Sequence, residues 1–523
     1  LVEAEENDFG EYVSAFTFLL RLKDTELERK IGMANWPWRV SVRLIAFAKK
    51  SILVLGIILF VLLAVRVYLS QQGPELHRWH TWRADEMSVQ EMDKANFAQY
   101  LTRENAIFSA LENEVTAKTE AEEQTPLNRY NRQSLVWPGQ FSPDANRSFL
   151  LMPKGKPRGA VVLLHGLTDS PYSVKHLAVN YQQHGFVAVV PRLPGHGTAP
   201  GALTDVDWEM WMAATRLAVR EATRLAGDAV PLHLVGYSNG GALAMKYALD
   251  ALDAPTLRKP QQLVLLSPMI GVTAFARFAG FAGLPAMLPA FAKAAWLNIA
   301  PEYNPYKYNS FPVNAARQSW LLTQALQQQL SHDAQIHRLD QLSPVIAFQS
   351  IMDSTVSTRA VVTGLFDQLP ANGSELVVFD INQAASFRPL FKPSSWTALA
   401  DLLPAAKRRY SVTVVTNRRA DSDDTVAKIT PAESTRETVV PLSTSYPQEV
   451  YSLSHVAIPF PPEDDLYGRH PEVKNRYGIS LGTIALWGET SVLSVGKDAL
   501  MRVTSNPFYD YMQERINGRI EGN

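Results

Sequence analysis

The sequence contains no cysteine. Disulfides, thiolate metal sites and a cysteine nucleophile are therefore excluded, while the redox compartment is left open. Net charge is nearly absent too: 50 Lys and Arg against 51 Asp and Glu leave −1. That balance attracts no polyanion, and no nucleic-acid partner is expected. The histidines show no H-E-x-x-H or other short ligand spacing, so no metal site is expected. No G-x-G-x-x-G follows the first strand. The loop Pro194-Gly195-His196-Gly197 lacks the Lys-Ser/Thr of a phosphate-binding P-loop. No cofactor is expected. What remains is a globular composition, 46% hydrophobic and 19% charged, over 523 residues. That length exceeds one ordinary domain without requiring two large ones.

One stretch departs from that composition. Ser51 to Val65 is fifteen residues without a charge, and extending it to Leu69 gives nineteen, with Arg66 near the end. About 20 apolar residues span a bilayer, and Arg66 can snorkel to the interface. Lys49 and Lys50 close the other end. Trp36 and Trp38 before the span, and Tyr68, Trp79 and Trp82 after it, suit the two interfaces. The alternative is a buried core helix. Arg39, Arg43, Lys49 and Lys50 precede the span, against Arg66, Arg78 and Arg83 after it. This modest excess predicts the N-terminus inside. The expected setting is a single-pass protein of a bacterial inner membrane, with the large C-terminal part in the periplasm. Residues 1–50 then form a cytoplasmic arm, and 51–69 the transmembrane helix. Phe9 to Leu22 in the arm is apolar enough to lie on a membrane or pack on a partner.

Residues 70–134 read as helical, either a stalk or helices packed on the main domain. Ser88-x-x-Glu91 has the capping-box pattern. Phe97, Leu101, Ile107, Phe108, Leu111 and Val115 follow at roughly helical spacing. The remainder, 135–523, forms the main domain. From about 135 strands alternate with helices: Ala160–Leu164, Phe186–Val190, Leu232–Val235 and Leu263–Leu266 are strands separated by helical runs. Such alternation predicts parallel βαβ units, a mostly parallel doubly wound α/β sheet. Ligands bind at the carboxyl ends of those strands. Residues 270–340 break the rhythm, being rich in Ala, Phe, Leu and Pro, and read as a helical lid. The rhythm resumes at Val345–Ser350 and Glu375–Ile381.

The candidate chemistry sits after those strand ends. Gly236-Tyr237-Ser238-Asn239-Gly240 lies between a short apolar strand and a helical stretch. That is the context of a nucleophile elbow, a tight turn that lifts a serine hydroxyl out of the backbone. Gly236 and Gly240 permit the close strand–helix approach. A serine hydroxyl needs a base and an acid that orients the base. Around an elbow these follow in the order Ser, Asp or Glu, His. Asp353 comes just after the strand Val345–Ser350; read alone it is equally a turn or N-cap residue. Only His455 and His470 lie downstream. His455 follows a short β-like run, whereas His470 sits in a polar turn. Triad order therefore favours Ser238, Asp353 and His455. The oxyanion donors are the backbone N–H of Asn239 and, from the loop after Leu164, that of Leu167, with Gly166 allowing close approach. His165 precedes the serine, so a structural, hydrogen-bonded role is expected for it. The Pro-Gly-His-Gly loop reads as a tight structural loop near the rim.

With these pieces the chain resembles the α/β-hydrolases, in the monoacylglycerol lipase and carboxylesterase branch. The matching residues are Leu163-Leu164-His165-Gly166, Arg192 to Thr198, Gly236 to Gly241, the Asp353 and His455 segments, and Trp208 and Trp211. The resemblance covers about 160–270 and 343–381, then a short patch around His455. It implies an α/β-hydrolase fold with a helical lid, an acyl pocket under the lid, and carboxyl-ester hydrolysis through an acyl-enzyme. One departure stands out. His455 lies some seventy residues past Ile381, where these relatives place their histidine soon after the last strand. The intervening insert, about 382–450, holds a helix-like piece (396–409), a strand-like piece (410–416) and a polar stretch (418–438) expected to be flexible. It reads as a second lid or a protein-partner surface. Asn506 to Ile516 is expected to form a closing helix.

Three function classes follow. The first is a membrane-anchored esterase or lipase, with an ester or lipid substrate. The second is an acyltransferase or amide-cleaving peptidase using the same triad. The third is a non-catalytic membrane scaffold, because fold alone never proves function.

Overall fold

The structure, a computed structural model, describes residues 36–271, 283–384, 388–484 and 501–522. Phe9–Leu22, the rest of the arm before residue 36, and part of the expected lid lie outside those residues. The chain divides into two compact units, Leu1–Arg66 and Val67–Asn523.

In the first unit the described residues belong to helix α1, Trp36–Gln71, whose last five residues enter the second unit. Within it Phe47–Gln71 has mean hydropathy 2.9 and is long and apolar enough to cross a membrane. Ile52, Leu55 and Phe60 are among its exposed side chains. Leaving such a side chain in water rather than burying it costs about 1.5–3 kcal/mol.

The second unit is built on a ten-stranded sheet ordered β1-β3-β2-β4-β5-β8-β9-β10-β11-β12. Ahead of it come α2 (Val89–Lys94) and α3 (Phe97–Glu114). The Ser88–Glu91 capping box is formed, with Ser88 N–H donating to Glu91 Oε2 at 2.7 Å. The strands are β1 (Phe149–Leu151), β2 (Gly159–Leu164), β3 (Phe186–Val190), β4 (Leu232–Tyr237) and β5 (Gln262–Leu266). They continue as β6 (Trp296–Asn298) and β7 (Phe311–Pro312), a separate antiparallel pair, then β8 (Val345–Ser350), β9 (Glu375–Phe379), β10 (Ser411–Asn417), β11 (Asp424–Thr430) and β12 (Thr438–Ser445). From β3 through β10 the neighbours in the large sheet are parallel; β1, β11 and β12 run antiparallel to theirs.

Parallel strands covered on both faces become apolar throughout. All six residues of β2, Gly-Ala-Val-Val-Leu-Leu, are buried. They divide by parity. Ala160, Val162 and Leu164 join the core beneath α5 (Trp208–Ala226), α6 (Asn239–Asp253) and α7 (Val313–Gln335). Val161 and Leu163 join the opposite core, with α4 (Lys175–Gln183) and α10 (Tyr509–Glu521). The closing helix thus begins three residues later than expected and seals the second face.

Two readings change. The span 270–340 is not all lid: Leu322, Leu326 and Leu330 of α7 are fully buried in the core, so 313–335 is the crossover helix between β5 and β8. Apolar spacing at i, i+4 declares a helix without declaring which surface covers it. The polar stretch 418–438 is not a flexible loop, since it contains β11. With β10 and β12, β11 extends the sheet beyond β9; helices α8 (Thr358–Gly364) and α9 (Pro393–Leu402) precede them. Residues 70–134 pack on the sheet unit: Met92, Phe97 and Tyr100 lie in the first core. Arg192, fully buried, pairs with Glu86 at 2.8 Å and with Glu104 at 3.2 Å, locking this segment to the Pro-Gly-His-Gly loop.

Candidate active site

β4 ends at Tyr237 and α6 begins at Asn239, which leaves Ser238 alone on the turn. Its backbone takes φ 54°, ψ −115°, a region that L-residues occupy only under constraint. The flanking glycines supply the constraint. A Cβ on Gly236 would stand 2.3 Å from the Gly240 carbonyl oxygen, and one on Gly240 would stand 2.0 Å from that of Leu164. Ser238 N–H donates to the Leu266 carbonyl at 2.9 Å, tying the turn to β5.

Asp353 lies three residues beyond β8, its side chain wholly buried. Its two carboxylate oxygens have different partners. Oδ1 accepts the N–H groups of Thr355 (2.8 Å) and Val356 (3.0 Å) and shapes the turn. Oδ2 lies 2.9 Å from His455 Nδ1 and accepts Gln349 Nε2 at 3.1 Å. Burial opposes ionisation of Asp353. The facing imidazole and the two backbone N–H donors outweigh it and hold the carboxyl below its ordinary value. A carboxylate at Nδ1 places the proton of neutral His455 on that nitrogen and leaves Nε2 free to act as base. His455 is 5% exposed and begins a short 3₁₀ turn. His470 is exposed on another turn.

Tyr237, next to the serine, packs against the histidine. The two rings are 5.3 Å apart, and the Tyr237 hydroxyl makes a long 3.5 Å contact to the His455 carbonyl oxygen. Ser238 Oγ itself donates to no acceptor among the described residues. Catalytic hydrogen bonds often form fully only with substrate bound.

The loop after β2 closes on the serine: a Cβ at Gly166 would sit 3.3 Å from Ser238 Cβ. The N–H groups of Leu167 and Asn239 donate to no acceptor among the described residues, as donors reserved for a substrate oxygen would. His165 stands behind them. Its Nε2 accepts the Leu193 N–H at 3.0 Å, so Nδ1 carries the proton and donates to the Gly166 carbonyl at 2.9 Å. Burial, then the neighbouring His196, pushes the His165 pKa far below its ordinary value. Its role is therefore that of a fixed neutral link. His196 packs edge-on against it at 5.0 Å and is pushed down to about 4 by burial. Among the described residues no group of three His, Asp or Glu is placed to hold a metal ion.

Three participants escaped the sequence reading. Gln349 holds Asp353, Tyr237 holds His455, and Asp169 lies in the loop after Gly166, buried and 3.4 Å from Lys307. Only Asp169 carried a signal, a carboxylate three residues past Gly166. Its partner Lys307, 138 positions away, did not.

Residues 155–379 match the family described as serine aminopeptidase, S33. A thermostable monoacylglycerol lipase of Bacillus sp. (strain H-257) is 33% identical over 89 residues, 17% of this chain and 34% of that protein. The chain thus spans about a third of the length of the curated relative it matches. Among solved structures, one from the pair of metagenome-derived lipolytic enzymes LipS and LipT is similar at 19% identity and TM-score 0.37, covering 49% of this chain and 97% of its own. A soluble variant of monoglyceride lipase from Saccharomyces cerevisiae is similar at 15% identity and TM-score 0.34, covering 44% and 81%. The strand order, the elbow after β4 and the family match together make the fold that of an α/β-hydrolase.

Proposed function

We propose that this α/β-hydrolase cleaves carboxyl esters with Ser238 as nucleophile, His455 as base and Asp353 as the acid that orients it. The observation that carries the reading is the 2.9 Å His455–Asp353 pair, which joins residues 102 positions apart beside a strained serine turn. Nε2 of His455 takes the Ser238 proton as Oγ bonds to the ester carbon. The carbonyl oxygen, now anionic, receives the Leu167 and Asn239 N–H groups. Collapse of this intermediate expels the alcohol, which takes the proton from Nε2, and leaves an acyl-enzyme. Water then attacks by the same route and regenerates Ser238. Each oxyanion donor is worth about 10²–10³ in turnover where one has been removed. The similarity to a monoacylglycerol lipase favours monoacyl esters of lipid origin as substrate class.

The S33 aminopeptidase description keeps one rival open, an amide-cleaving enzyme with the same triad. A fluorophosphonate probe labels Ser238 in either case. The discriminating measurement is turnover of p-nitrophenyl acyl esters against aminoacyl p-nitroanilides. Faster amide cleavage at equal concentration would replace the ester reading.

We also propose that Phe47–Gln71 spans a bilayer, with the N-terminus inside and the chain after residue 71 outside. A cysteine-free sequence makes the test direct. Asp421→Cys, at an exposed position, takes up a membrane-impermeant maleimide in intact spheroplasts. Labelling only after lysis would reverse the orientation.

A further inference from the structure

The residue after the candidate oxyanion donor Leu167 is Thr168, whose backbone is left-handed at φ 63°. A β-branched side chain rarely adopts that conformation, and when it does something else holds it there. Two contacts to Thr168 and its neighbour come from one distant stretch. Tyr308 N–H donates to the Thr168 carbonyl at 2.8 Å, and Lys307 Nζ lies 3.4 Å from Asp169 Oδ2. That stretch is itself fixed from behind. The Tyr308 hydroxyl accepts the Thr198 N–H at 2.7 Å and donates to the Gly195 carbonyl at 3.0 Å. The buried Arg129 guanidinium donates to the carbonyls of Asn304 (3.1 Å) and Lys307 (3.4 Å). Within the loop, Asp169 N–H returns to the Gly166 carbonyl at 3.3 Å. Asp169 is 3% exposed. A carboxylate buried so deeply needs its partner, and losing the ammonium would leave it uncompensated.

We propose that Lys307 and Asp169 act as positioning residues, a clamp that holds Thr168 in its left-handed conformation and thereby keeps the Leu167 N–H available to the oxyanion. This rests on the ester-hydrolase reading above. Without the clamp Thr168 relaxes toward negative φ, the Leu167–Thr168 peptide turns, Leu167 is displaced together with the N–H on its other side, and transition-state stabilisation falls while ground-state binding is little changed.

The test is a double-mutant cycle on the full chain with p-nitrophenyl butyrate. Lys307→Met, at a half-buried position, lowers kcat about tenfold or more with KM within about twofold, the scale of one impaired oxyanion donor. Lys307→Arg restores most of the loss. Glycine adopts positive φ without strain, so it needs the clamp less. Introduced into Thr168→Gly, the Lys307→Met change therefore lowers kcat by no more than about threefold, a coupling that a merely structural lysine would not show. Asp169→Asn behaves as Lys307→Met does; if it fails to fold, the lysine cycle alone decides. The clamp is overturned if Lys307→Met keeps full kcat, or if its effect is the same with Thr168 and with Gly at that position. Ser238→Ala separates the two ideas. Turnover surviving in that variant sinks the hydrolase reading itself, whereas a dead Ser238→Ala beside a fully active Lys307→Met sinks only the clamp.

Discussion

The two sides of the candidate site are made of different materials. The side of the proposed nucleophile is backbone: a glycine-framed turn at Ser238, N–H groups on Leu167 and Asn239 that meet no acceptor among the described residues, and a Gly166 that lets two loops meet. Its pieces follow the ends of β2 and β4, adjacent parallel strands. The side of the proposed base is made of side chains: His455 on Asp353, Asp353 on Gln349, the Tyr237 ring on the His455 ring. The chain reaches His455 only after β10, β11 and β12 have been added to the sheet. Backbone geometry is all-or-none, because a wrong Cβ meets a main-chain atom that cannot move aside. Side-chain geometry is graded, because one partner can leave while the rest stay. Glycine substitutions on the first side should therefore cost folding, and substitutions on the second should cost chemistry far more than stability.

The largest expected effect tests the second half of that statement. His455→Ala should fold as the parent does, with an unchanged melting temperature within about 2 °C, and lose roughly 10⁴-fold or more in kcat. His470→Ala should lose nothing measurable. Comparable losses in both would move the base elsewhere and dissolve the distinction between the two sides.

Next comes the backbone side. Gly240→Ala puts a Cβ 2.0 Å from the Leu164 carbonyl oxygen, with the His165 carbonyl at 2.8 Å. Both neighbours are main-chain atoms of β2 and the loop after it. Overpacking of this kind costs about 1–3 kcal/mol and more where nothing yields. The variant should express poorly or melt well below the parent, as circular dichroism would show. A well-folded Gly240→Ala with ordinary activity would mean that the turn is looser than its contacts imply.

A smaller effect probes the outermost layer of the base side. Gln349 is fully buried, and its Nε2 donates to both Asp353 Oδ2 and Thr358 Oγ1 at 3.1 Å. Gln349→Leu removes a donor to a carboxylate, worth about 1.5–3 kcal/mol. Part of that should appear as a kcat loss of roughly tenfold, with KM little changed. An unchanged kcat would show that the two backbone donors to Oδ1 suffice to hold Asp353.

The same division explains what could be read in advance. Gly236-Tyr237-Ser238-Asn239-Gly240 is legible because a turn is a local object whose residues are contiguous. The parallel strands are legible because burial on both faces leaves apolar runs such as Ala160–Leu164. What failed was whatever depends on distant partners. Helix 313–335 reads as part of a lid because Leu322, Leu326 and Leu330 mark a helix without naming the sheet beneath it. The stretch 418–438 reads as flexible because it leads into a sheet edge: β12 is almost wholly exposed, and an edge strand needs little apolar surface. Asp169 and Lys307 each look like an ordinary surface charge until the fold brings them together.

The smallest expected effect concerns Asp353 and pH. Its folded pKa lies below the ordinary carboxylate value of 3.8. A carboxyl with a depressed folded pKa binds fewer protons in the folded state than in the unfolded state near that value. Its contribution to stability is then complete above pH 3.8 and is lost as pH falls below it through the folded pKa. Asp353→Asn never carries this contribution. At pH 6 the parent should melt above Asp353→Asn by roughly 1–3 °C, a modest shift because a chain this large spreads any one interaction over a large unfolding entropy. Below pH 3.8 the gap should narrow progressively, because the protonated parent then resembles the amide. A gap that stays constant through this range would mean that the turn contacts of Oδ1, which an amide oxygen can also accept, carry the stability of this segment. The carboxylate charge would then serve His455 alone.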